Sequence, residues 1–521
     1  MKIIERIKLL NFRRFPSFDT KLDSSLNIFV GDNESGKSTV LMALDLVLSG
    51  SRAKIDSIGL ESLFNTDCID RYMASSRKIQ DLPVLYVEVY LNEQNTPALN
   101  GKNNSEKITC DGIAFLCEPI EELGKDIKEV LLQDGSNFPF EYYETRFHTF
   151  SGQQYNGYNR PIRHLFIDSS QINNEYATRE YIKDLYSSNV GSIEKNKYQN
   201  EYRKYKNKFK DKVFFDLNSK LEKYEFTIKT TGKANLEADI TIAENGIVIE
   251  NKGKGRQCFI KTEFALKKPD RSKDIDILLL EEPENHLSHI NMKKLILLIR
   301  ESLKKQLFIA THNNLITARL DLRRCVLMNS SSPKITLLNS LSEDTADFFM
   351  KSPDNNILEF ILAKRVVLVE GDAEYILTEA FFKHVTGKLP EEFDTHIISV
   401  GGTSFKRYLE LAKLLNIRTA VIRDNDEDYS VNCVERYADY VGDNIQVFSD
   451  TDNARSTFEI CLYLDNSETC EAFFKASRKS LSVQEYMLKN KAEAAFHLLK
   501  MTSGELLPSQ YILNAIQWIR E

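Results

Sequence analysis

The clearest chemical signal in this 521-residue chain is a glycine-rich segment near its start. Residues 31–38 read GDNESGKS, which matches the pattern G-x-x-x-x-G-K-[ST]. In such a loop, backbone N–H groups surround a β-phosphate, the lysine faces the β- and γ-phosphates, and the hydroxyl binds Mg²⁺. The pattern therefore predicts a site for a nucleoside triphosphate. The residues predicted to contact the nucleotide are Gly31, Asn33, Gly36, Lys37, Ser38 and Thr39.

An acidic pair later in the chain could act on the same nucleotide. Glu281 and Glu282 follow an apolar run at residues 275–280. In this interpretation Glu281 assists the Mg²⁺ shell and Glu282 is the catalytic residue that polarises the attacking water. Taken alone, the pair is equally typical of an acidic helix start after a strand. The phosphate loop favours the catalytic interpretation.

A second group of acids lies in the last third of the chain. Glu370 and Glu374 follow the apolar run VVLV, and Asp424 and Asp426 form a D-x-D pattern after another apolar run. Residues two apart on extended backbone point the same way, so both aspartates are expected to converge on one ion beside Glu370. Oxygen donors with no histidine or cysteine nearby suit Mg²⁺ or Mn²⁺ rather than zinc. Each motif is weak by itself, and the hypothesis depends on their order and spacing.

Apolar spacing predicts the elements that position the phosphate loop. The run at residues 26–30 ends at Gly31, and apolar residues then recur at helical spacing over 40–48 until Gly50. This is the strand, loop and helix that the phosphate motif requires. Residues 91–160 are polar and rich in asparagine, and they receive no assignment. Further strands are predicted at residues 83–90, 275–280 and 306–310.

The second group of acids lies within a repeating pattern of strands and helices. The polar stretch at residues 340–356 is the best candidate for a domain boundary. After it, short apolar runs alternate with helical stretches such as 373–384 and 405–415, which predicts an α/β fold with a mostly parallel sheet. The strands are predicted at residues 365–369, 396–400, 419–423 and 444–448.

Composition limits the class of protein. Hydrophobic residues make up 42% and charged residues 28%, which indicates a globular chain, and the length indicates two to four domains. No apolar run approaches the ~18 residues of a spanning helix, so we expect a cytoplasmic protein without membrane contact. The net charge is −7, so nucleic-acid contact would need a local basic patch. The eight cysteines form no C-x-x-C pair and are expected to be reduced, mostly buried thiols.

One basic segment could provide such a patch. Lysine and arginine dominate residues 194–212, where Tyr198, Tyr202, Tyr205 and Phe209 follow at spacings of four, three and four. These four rings are predicted to share one face of a helix. Packing of that face on the core or on a second subunit is favoured, because helical spacing argues that the rings are covered. Contact between the basic face and nucleic acid is the alternative.

Several segments of the first half resemble the chromosome-maintenance or RecF-type members of the ABC ATPase superfamily. LLNFRRF at residues 9–15 is similar to the N-terminal strand and turn of that group, and EEPENHL after the apolar run resembles its acidic strand end. FIATHN resembles the switch strand, which implies that His312 senses the γ-phosphate. The resemblance implies ATP as cofactor. It also implies a homo-oligomer, a dimer or larger, because such sites are completed in trans.

GKGRQ at residues 253–257 resembles the loop with which this superfamily reaches ATP on a partner head. The chain departs from the pattern there, since Asn251 and Lys252 stand where a serine that contacts the γ-phosphate would be expected. This departure predicts slow ATP hydrolysis and leaves ATP binding intact.

The acids of the last third resemble the Toprim domain, and the whole chain resembles the OLD (overcoming lysogenisation defect) family of ATP-dependent endonucleases. That family includes the nuclease subunit of Gabija phage-defence systems. The resemblance implies an ABC/RecF-like ATPase domain at residues 1–345, with a helical dimerisation insert at about 170–225. A Rossmann-like Toprim domain would follow at residues 355–521. The implied catalytic residues are Glu370, Glu374, Asp424, Asp426, Glu459 and Lys491.

The implied chemistry is hydrolysis of DNA by two metal ions about 4 Å apart. Glu370 would ligate a metal or act as base, the other four acids would hold the ions, and Lys491 would neutralise charge on the phosphorane. Lys489 stands two residues away, which leaves the match of the lysine open. The resemblance also leaves open whether a partner defence protein or an RNA–DNA cofactor takes part.

Two other functions compete with this hypothesis. The first is a non-cleaving, ATP-driven DNA clamp or repair scaffold similar to RecF-type and SMC-type proteins, which would leave the C-terminal acids without a role. The second is a topoisomerase, which needs a nucleophilic tyrosine. None of the 22 tyrosines can be assigned that role from the sequence.

Overall fold

The computed structural model divides the chain by internal contacts into two compact units. The head unit is Met1–His312 with Val326–Ile335, and the C-terminal unit is Asn313–Cys325 with Thr336–Glu521. The residues described are 2–94, 96–132, 137–157, 159–170, 182–183, 185–186, 190–220, 225–228, 236–266, 276–302, 305–330, 332–352, 356–402, 404–475, 481–501 and 506–521.

The elements of the head unit begin with an antiparallel hairpin and continue with alternating strands and helices. The strands are β1 (Ile4–Phe12), β2 (Phe15–Lys21), β3 (Leu26–Gly31), β4 (Leu85–Leu91), β5 (Asn100–Gly101), β6 (Cys110–Pro119), β7 (Tyr143–Thr149), β8 (His164–Asp168), β9 (Ala243–Glu244), β10 (Ile247–Val248), β11 (Ile277–Glu281), β12 (Gln306–Thr311), β13 (Cys325–Asn329) and β14 (Ser332–Leu337). The helices are α1 (Lys37–Ser49), α2 (Arg52–Ile58), α3 (Thr66–Met73), α4 (Gly124–Leu131), α5 (Ser192–Val213), α6 (Phe215–Asn218), α7 (Leu236–Asp239), α8 (Lys254–Leu266) and α9 (His289–Glu301).

A six-stranded sheet forms the centre of the head unit, in the order β14-β13-β3-β12-β11-β8. β3, β12, β11 and β8 pair in parallel, which places the carboxyl ends of these four strands at one edge. Their side chains are almost all apolar and buried, as expected for parallel strands covered on both faces. The rings of Phe29 and Phe308 stack across β3 and β12 with centroids 6.4 Å apart. The strands predicted at 26–30, 275–280 and 306–310 are therefore those of this sheet.

A second, antiparallel sheet of the head unit has the order β2-β1-β4-β6-β5, with β7 also paired to β6. Its inner side chains, such as Val87, Val89 and Phe115, are fully buried, and β4 and β6 contact α1. All of β6 and all of β7 lie in the region that received no assignment from sequence. The polar, asparagine-rich linkers around these two strands obscured the apolar run of β6.

Helix α5 corresponds to the basic segment, and the structure corrects one expectation about it. Tyr198, Tyr205 and Phe209 are 45%, 66% and 52% exposed, so these rings do not pack on the chain's own core. Among the described residues, α5 packs mainly on the short helices α6 and α7. Packing on a second subunit and contact with nucleic acid both stay predictions. Much of the predicted insert, including residues 171–181, lies outside the described residues.

The C-terminal unit has four strands, with helices before, between and after them. Its strands are β15 (Arg365–Val369), β16 (Thr395–Ser399), β17 (Arg418–Ile422) and β18 (Ile445–Phe448). Its helices are α10 (Asn314–Arg319), α11 (Glu343–Lys351), α12 (Ile357–Leu362), α13 (Asp372–Thr386), α14 (Phe405–Leu415), α15 (Phe458–Asp465), α16 (Ser467–Phe474), α17 (Val483–Lys489), α18 (Lys491–Met501) and α19 (Gln510–Arg520).

The four strands of this unit form one parallel sheet in the order β16-β15-β17-β18. Each observed strand agrees with its predicted position to within one residue at either end, so the α/β prediction is confirmed. The chain leaves β15 towards β16 on one side and later reaches β17 on the other. The order of strands thus reverses between β15 and β17, and a crevice forms there at their carboxyl ends.

The division into units differs from the sequence boundary near residue 345. Helices α10, α11 and α12 pack against one another, and the last two also pack on α14. These contacts assign residues 313–325 and 336–345 to the C-terminal unit. The polar stretch at 340–356 marked a linker by composition, whereas the packing of these helices determines the unit.

No helix among the described residues is both long enough and apolar enough to span a bilayer.

A buried polar cluster joins α1 to the edge of the central sheet. Asp45 on α1 accepts hydrogen bonds from His164 Nε2 and from Lys54 Nζ, each at 2.8 Å. Burial opposes ionisation of Asp45, but the Lys54 ammonium and His164 hold the pKa of its carboxyl well below the usual range. The carboxylate is therefore a charged anchor between α1, β8 and α2.

We expect Asp45→Ala to destabilise the head unit by about 1–3 kcal/mol, because it leaves the buried His164 ring without its partner. Urea unfolding followed by circular dichroism measures the loss. Asp56→Ala, which removes an exposed acid of α2, is the matched control. Equal stability of the two variants would contradict the anchoring role.

Candidate functional site

The phosphate loop of the head unit connects the buried strand β3 to the start of α1. Gly36 has a φ of 100°, and a Cβ at this position would lie 2.4 Å from the Phe15 ring, so only glycine fits. Lys37 Nζ donates to Gly31 O and Asp32 O, both at 2.7 Å. The loop therefore curls around the lysine, at a helix N-terminus where phosphate oxygens are favoured.

A cavity of about 450 Å³ opens beside this loop. Lys37, Ser38 and Thr39 line it, together with Gly36, whereas Gly31 and the exposed Asn33 do not. The cavity also receives side chains that the sequence analysis did not single out, although two of them lie in the segment 9–15. These additional residues include Arg13, Arg14, Phe64 and Thr66.

The acidic pair lies at the carboxyl end of β11, next to the phosphate loop. Burial raises the pKa of Glu281 to about 7, and a hydrogen bond with Ser38 opposes the rise. Ser38 and Glu281 are thus in contact, as a shared Mg²⁺ shell requires. Glu282 has a φ of 42°, and its Oε1 accepts a hydrogen bond from His312 Nδ1 at 2.9 Å. The structure brings the predicted water-polarising acid and the predicted γ-phosphate sensor together.

Glu284, which was not predicted as a site residue, lies beside His312, with Oε1 3.9 Å from Nδ1 of the histidine. It is buried, and its Oε1 accepts a hydrogen bond from Thr311 on β12. Its Oε2 accepts no hydrogen bond from any described residue, and burial raises the pKa of the carboxyl. Its only sequence signal was its place in the EEPE segment.

The segment predicted to reach a partner head forms the start of α8. Lys252 Nζ lies 3.0 Å from Glu244 Oε2, and Arg256 pairs with the same carboxylate. A Cβ on Gly255 would lie 2.1 Å from His286 O, so glycine is required for this close approach. The lysine at the position of the expected serine is therefore held by an ion pair within the head unit.

Five of the six predicted catalytic residues of the C-terminal unit gather near the crevice between β15 and β17. Glu370 follows β15, Asp424 follows β17 after one residue, and Glu374 lies in the first turn of α13. Glu459 lies in the first turn of α15, and Lys491 Nζ lies 3.1 Å from its Oε2. The exposed Lys489 makes no such contact in the described structure, so the geometry favours Lys491 as the matching lysine.

The carboxylates of this cluster are crowded and poorly solvated. Burial, with the nearby charges of Glu374, Glu370 and Glu459, raises the pKa of Asp424 to about 8. Burial likewise raises the pKa of Glu374 to about 7, and it raises that of Glu370. Glu370 Oε2 and Glu459 Oε1 accept no hydrogen bond from any described residue. Buried acids without partners are costly unless a cation compensates them.

Asp426 differs from the prediction. β17 ends at Ile422 and Asp426 has a φ of 50°, so the two aspartates of D-x-D do not lie on extended backbone and do not point the same way. The Asp426 side chain is 49% exposed, and its Oδ2 accepts a hydrogen bond from Arg423 Nη2 at 2.9 Å. Its charge contributes to the raised pKa of the Glu370 carboxyl. The prediction that the two aspartates lie on extended backbone is therefore wrong, and their joint binding of one ion stays a prediction.

Arg423, which was not predicted as a site residue, holds this loop through hydrogen bonds. Its side chain is fully buried, and Nη1 donates to the Tyr437 hydroxyl at 2.5 Å while Nε donates to Asp424 O. A guanidinium with fixed partners on three sides is a rigid support. Its signal in the sequence was an arginine at the end of an apolar strand.

The donor set fits a hard divalent cation in kind. Carboxylate oxygens, some of them without partners, are the ligands that Mg²⁺ and Mn²⁺ prefer. Within the described residues, no three histidine, cysteine, aspartate or glutamate side chains are close enough to hold an ion as they stand. Binding a metal would therefore require rotation of these side chains towards a common point.

We expect Asp424→Asn to raise the melting temperature by about 2–4 °C in EDTA, measured above about pH 8. The folded pKa of about 8 lies above the ordinary value of 3.8. Ionisation of Asp424 therefore destabilises the fold progressively as the pH rises from 3.8 to about 8. Asparagine removes that charge and keeps Oδ1, which accepts from Phe458 N. The exposed Asp443→Asn is the control, and an unchanged or lower melting temperature for Asp424→Asn would refute the crowding argument.

Two family models match separate parts of this chain. An "Overcoming lysogenization defect protein-like, TOPRIM domain" matches residues 361–426, and an "AAA ATPase domain" matches residues 1–110. The DNA replication and repair protein RecF of Clostridium kluyveri is 23% identical over 248 residues, which are 46% of this chain and 65% of RecF, so the match covers just under two thirds of that relative.

Two solved structures can be aligned with parts of this chain at low identity. The SMC head domain from Thermotoga maritima is 14% identical, with a TM-score of 0.29, and the match covers 63% of this chain and 94% of that one. The C-terminal region of the Xanthomonas campestris pv. campestris OLD protein is 21% identical, with a TM-score of 0.24, and the match covers 31% and 94%. The family matches thus place an AAA ATPase domain at the start of the chain and an OLD-like Toprim domain in its last third.

Proposed function

We propose that this protein is an ATP-binding, metal-dependent DNA endonuclease whose C-terminal unit hydrolyses phosphodiester bonds under control of the head unit. The observation that carries the proposal is the cluster of buried, uncompensated carboxylates beside Lys491, at the strand reversal of a parallel sheet. Such a crevice is where open α/β sheets bind their ligands. The OLD-like Toprim match over residues 361–426 supports the same chemistry.

The residues divide the work of hydrolysis among them. Glu374, Asp424 and Glu459 would hold Mg²⁺ or Mn²⁺, and Asp426 would join them from its place beside Arg423. Glu370 would ligate or accept the proton of the attacking water. Bound ions supply Lewis acidity and an activated water. Lys491 would stabilise the negative charge that develops on the phosphorus oxygens.

The head unit would bind ATP through the phosphate loop and the acids at the end of β11. Lys37 and Ser38 would contact the phosphates and Mg²⁺, and Glu281 would complete the metal shell. Glu282 would orient water, with His312 reporting the presence of the γ-phosphate. Lys252 in place of the expected serine, fixed by Glu244, supports slow turnover and hence a regulatory use of ATP.

We expect the wild-type protein to nick or linearise supercoiled plasmid with Mg²⁺ or Mn²⁺, and Asp424→Ala/Asp426→Ala to reduce the rate by about a hundredfold or more. Agarose gel electrophoresis over a time course measures both rates. Asp443→Ala should cut like wild type, since this acid is exposed and lies outside the cluster. Intact plasmid in every reaction, with ATP-dependent DNA retention, would favour the alternative of a non-cleaving RecF-like scaffold.

We expect plasmid cleavage by the wild type to fall as ATP rises, and Lys37→Ala to cut at the same rate with and without ATP. The lysine places its charge against the phosphates, so its loss should weaken ATP binding by about tenfold or more. Fluorescent-nucleotide titration measures binding, and Lys125→Ala, on the exposed face of α4, is the control. A wild-type rate that does not respond to ATP would rule out inhibition by nucleotide.

Assembly and biological role form the last part of the proposal. The exposed aromatic face of α5 supports a homo-oligomer, a dimer or larger. The architecture shared with the OLD family supports a role in anti-phage defence, with DNA as the substrate. The RecF match supports the scaffold alternative for the head unit alone, because it leaves the C-terminal carboxylates unexplained.

A further inference from the structure

The antiparallel sheet of the head unit carries a pocket that neither candidate site explains. Side chains alternate between the two faces of the sheet along each strand. Glu88, Ala114 and Leu116, which neighbour the inward-facing Val87, Val89 and Phe115, therefore face away from α1. On this outer face, a pocket of about 490 Å³ lies between the strands and the segment 102–107. Its size is within the range of small-molecule sites in proteins.

The segment that walls the pocket is fixed by a network of hydrogen bonds. Glu88 Oε1 accepts from Ser105 N at 2.6 Å, and Glu88 Oε2 accepts from Ser105 Oγ and from the Tyr90 hydroxyl, both at 2.8 Å. Glu106 accepts hydrogen bonds from Arg6 at 2.6 Å and from Lys8 at 3.3 Å. The wall is thus held in place before any ligand arrives, which lowers the entropic cost of binding.

The pocket is positively charged in a chain whose net charge is −7. Lys102 and Lys107, both exposed, line it together with Arg146. Glu88 is its only carboxylate among the described lining residues, and both of its oxygens already accept hydrogen bonds. Arg146 is partly neutralised by Glu118, so the two lysines set the charge that a ligand meets. The pocket therefore favours an anion.

Part of the floor of the pocket is apolar. Tyr86 and Leu116 are direct partners on β4 and β6, and Arg146 continues the same row on β7. In the next row, His148 Nδ1 donates to Thr149 O at 3.1 Å, and in the neutral ring Nε2 is then an acceptor. A tyrosine ring beside a leucine suits a planar heterocycle, and an imidazole acceptor suits an amino group on its edge.

We propose that this pocket binds a nucleotide, with the phosphate against Lys102 and Lys107 and the base against Tyr86 and Leu116. The nucleotide is either free or part of a single strand, because both present the same phosphate and base. The pocket lies on the face of the sheet opposite α1, so it is separate from the phosphate loop that α1 follows. Binding here requires neither ATP hydrolysis nor DNA cleavage.

The test measures binding by the full chain in EDTA, which suppresses metal-dependent cleavage, in a Lys37→Ala background that weakens the phosphate-loop site. A fluorescein-labelled single-stranded oligonucleotide is titrated by anisotropy at several salt concentrations, and unlabelled dAMP is the competitor. Lys102→Ala/Lys107→Asn removes the two charges, and asparagine tolerates the φ of 55° at position 107. Lys125→Ala/Lys128→Ala on α4 makes the same charge change elsewhere on the head unit.

We expect the pocket variant to bind the oligonucleotide at least about tenfold more weakly than the α4 variant. We also expect its slope of log K against log salt to fall by about 1.4, which corresponds to two phosphate contacts with a single strand. Tyr86→Leu should weaken binding about tenfold with an unchanged slope, because it removes stacking alone.

If dAMP displaces the oligonucleotide from the wild-type pocket but not from the pocket variant, the ligand is a free nucleotide. If the oligonucleotide binds and dAMP does not displace it, the ligand is a strand. Equal affinities and slopes for the pocket and α4 variants would overturn the proposal. So would a wild-type pocket that binds neither probe. Plasmid cleavage by the same variants, measured with Mg²⁺, separates this result from the fate of the nuclease proposal.

Discussion

Parallel pairing of strands determines where the main candidate catalytic groups of this protein lie. In parallel sheets all carboxyl ends meet at one edge, and the backbone there must turn into loops and helix N-termini. Glu281 at the end of β11 lies in register with Ala310 on β12, which brings the acids to His312. In the C-terminal unit, the register of Val369 with Ile422 sets Glu370 opposite the loop that carries Asp424. The same constraint thus builds two unrelated sites in one chain.

Burial converts these positions into chemistry, and it does so at a cost. The edge of a covered sheet excludes water, so acids placed there are destabilised unless a cation or a proton accompanies them. In the head unit, the hydrogen bond with Ser38 and the charge of Lys37 stabilise the ionised form of Glu281. The C-terminal unit meets this cost only in part, through Lys491 and Arg423. The stability lost here is what a divalent ion would restore in the proposed metal site.

Local sequence patterns predicted the elements that position both sites, because each depends on short-range apolar spacing and on glycine. The phosphate loop and the four strands of the C-terminal sheet are of this kind. The direction of Asp426 was not predictable, since it depends on a left-handed turn whose acid accepts from Arg423, and Arg423 is itself held by the more distant Tyr437. The exposure of the rings on α5 was equally hidden, because periodicity shows which residues share a face but not what covers it.

The support of Asp426 by Arg423 has a consequence for the order in which the C-terminal site fills. When fully ionised, Glu370, Glu374, Asp424, Asp426 and Glu459 contribute five negative charges, and Lys491 and Arg423 return two positive ones, so three remain uncompensated. One divalent ion would leave the site with a single negative charge, which repels a phosphodiester. A second ion would reverse the sign to a single positive charge, equal and opposite to that of the phosphodiester. In the proposed two-metal site, the second ion would therefore be the one that admits DNA.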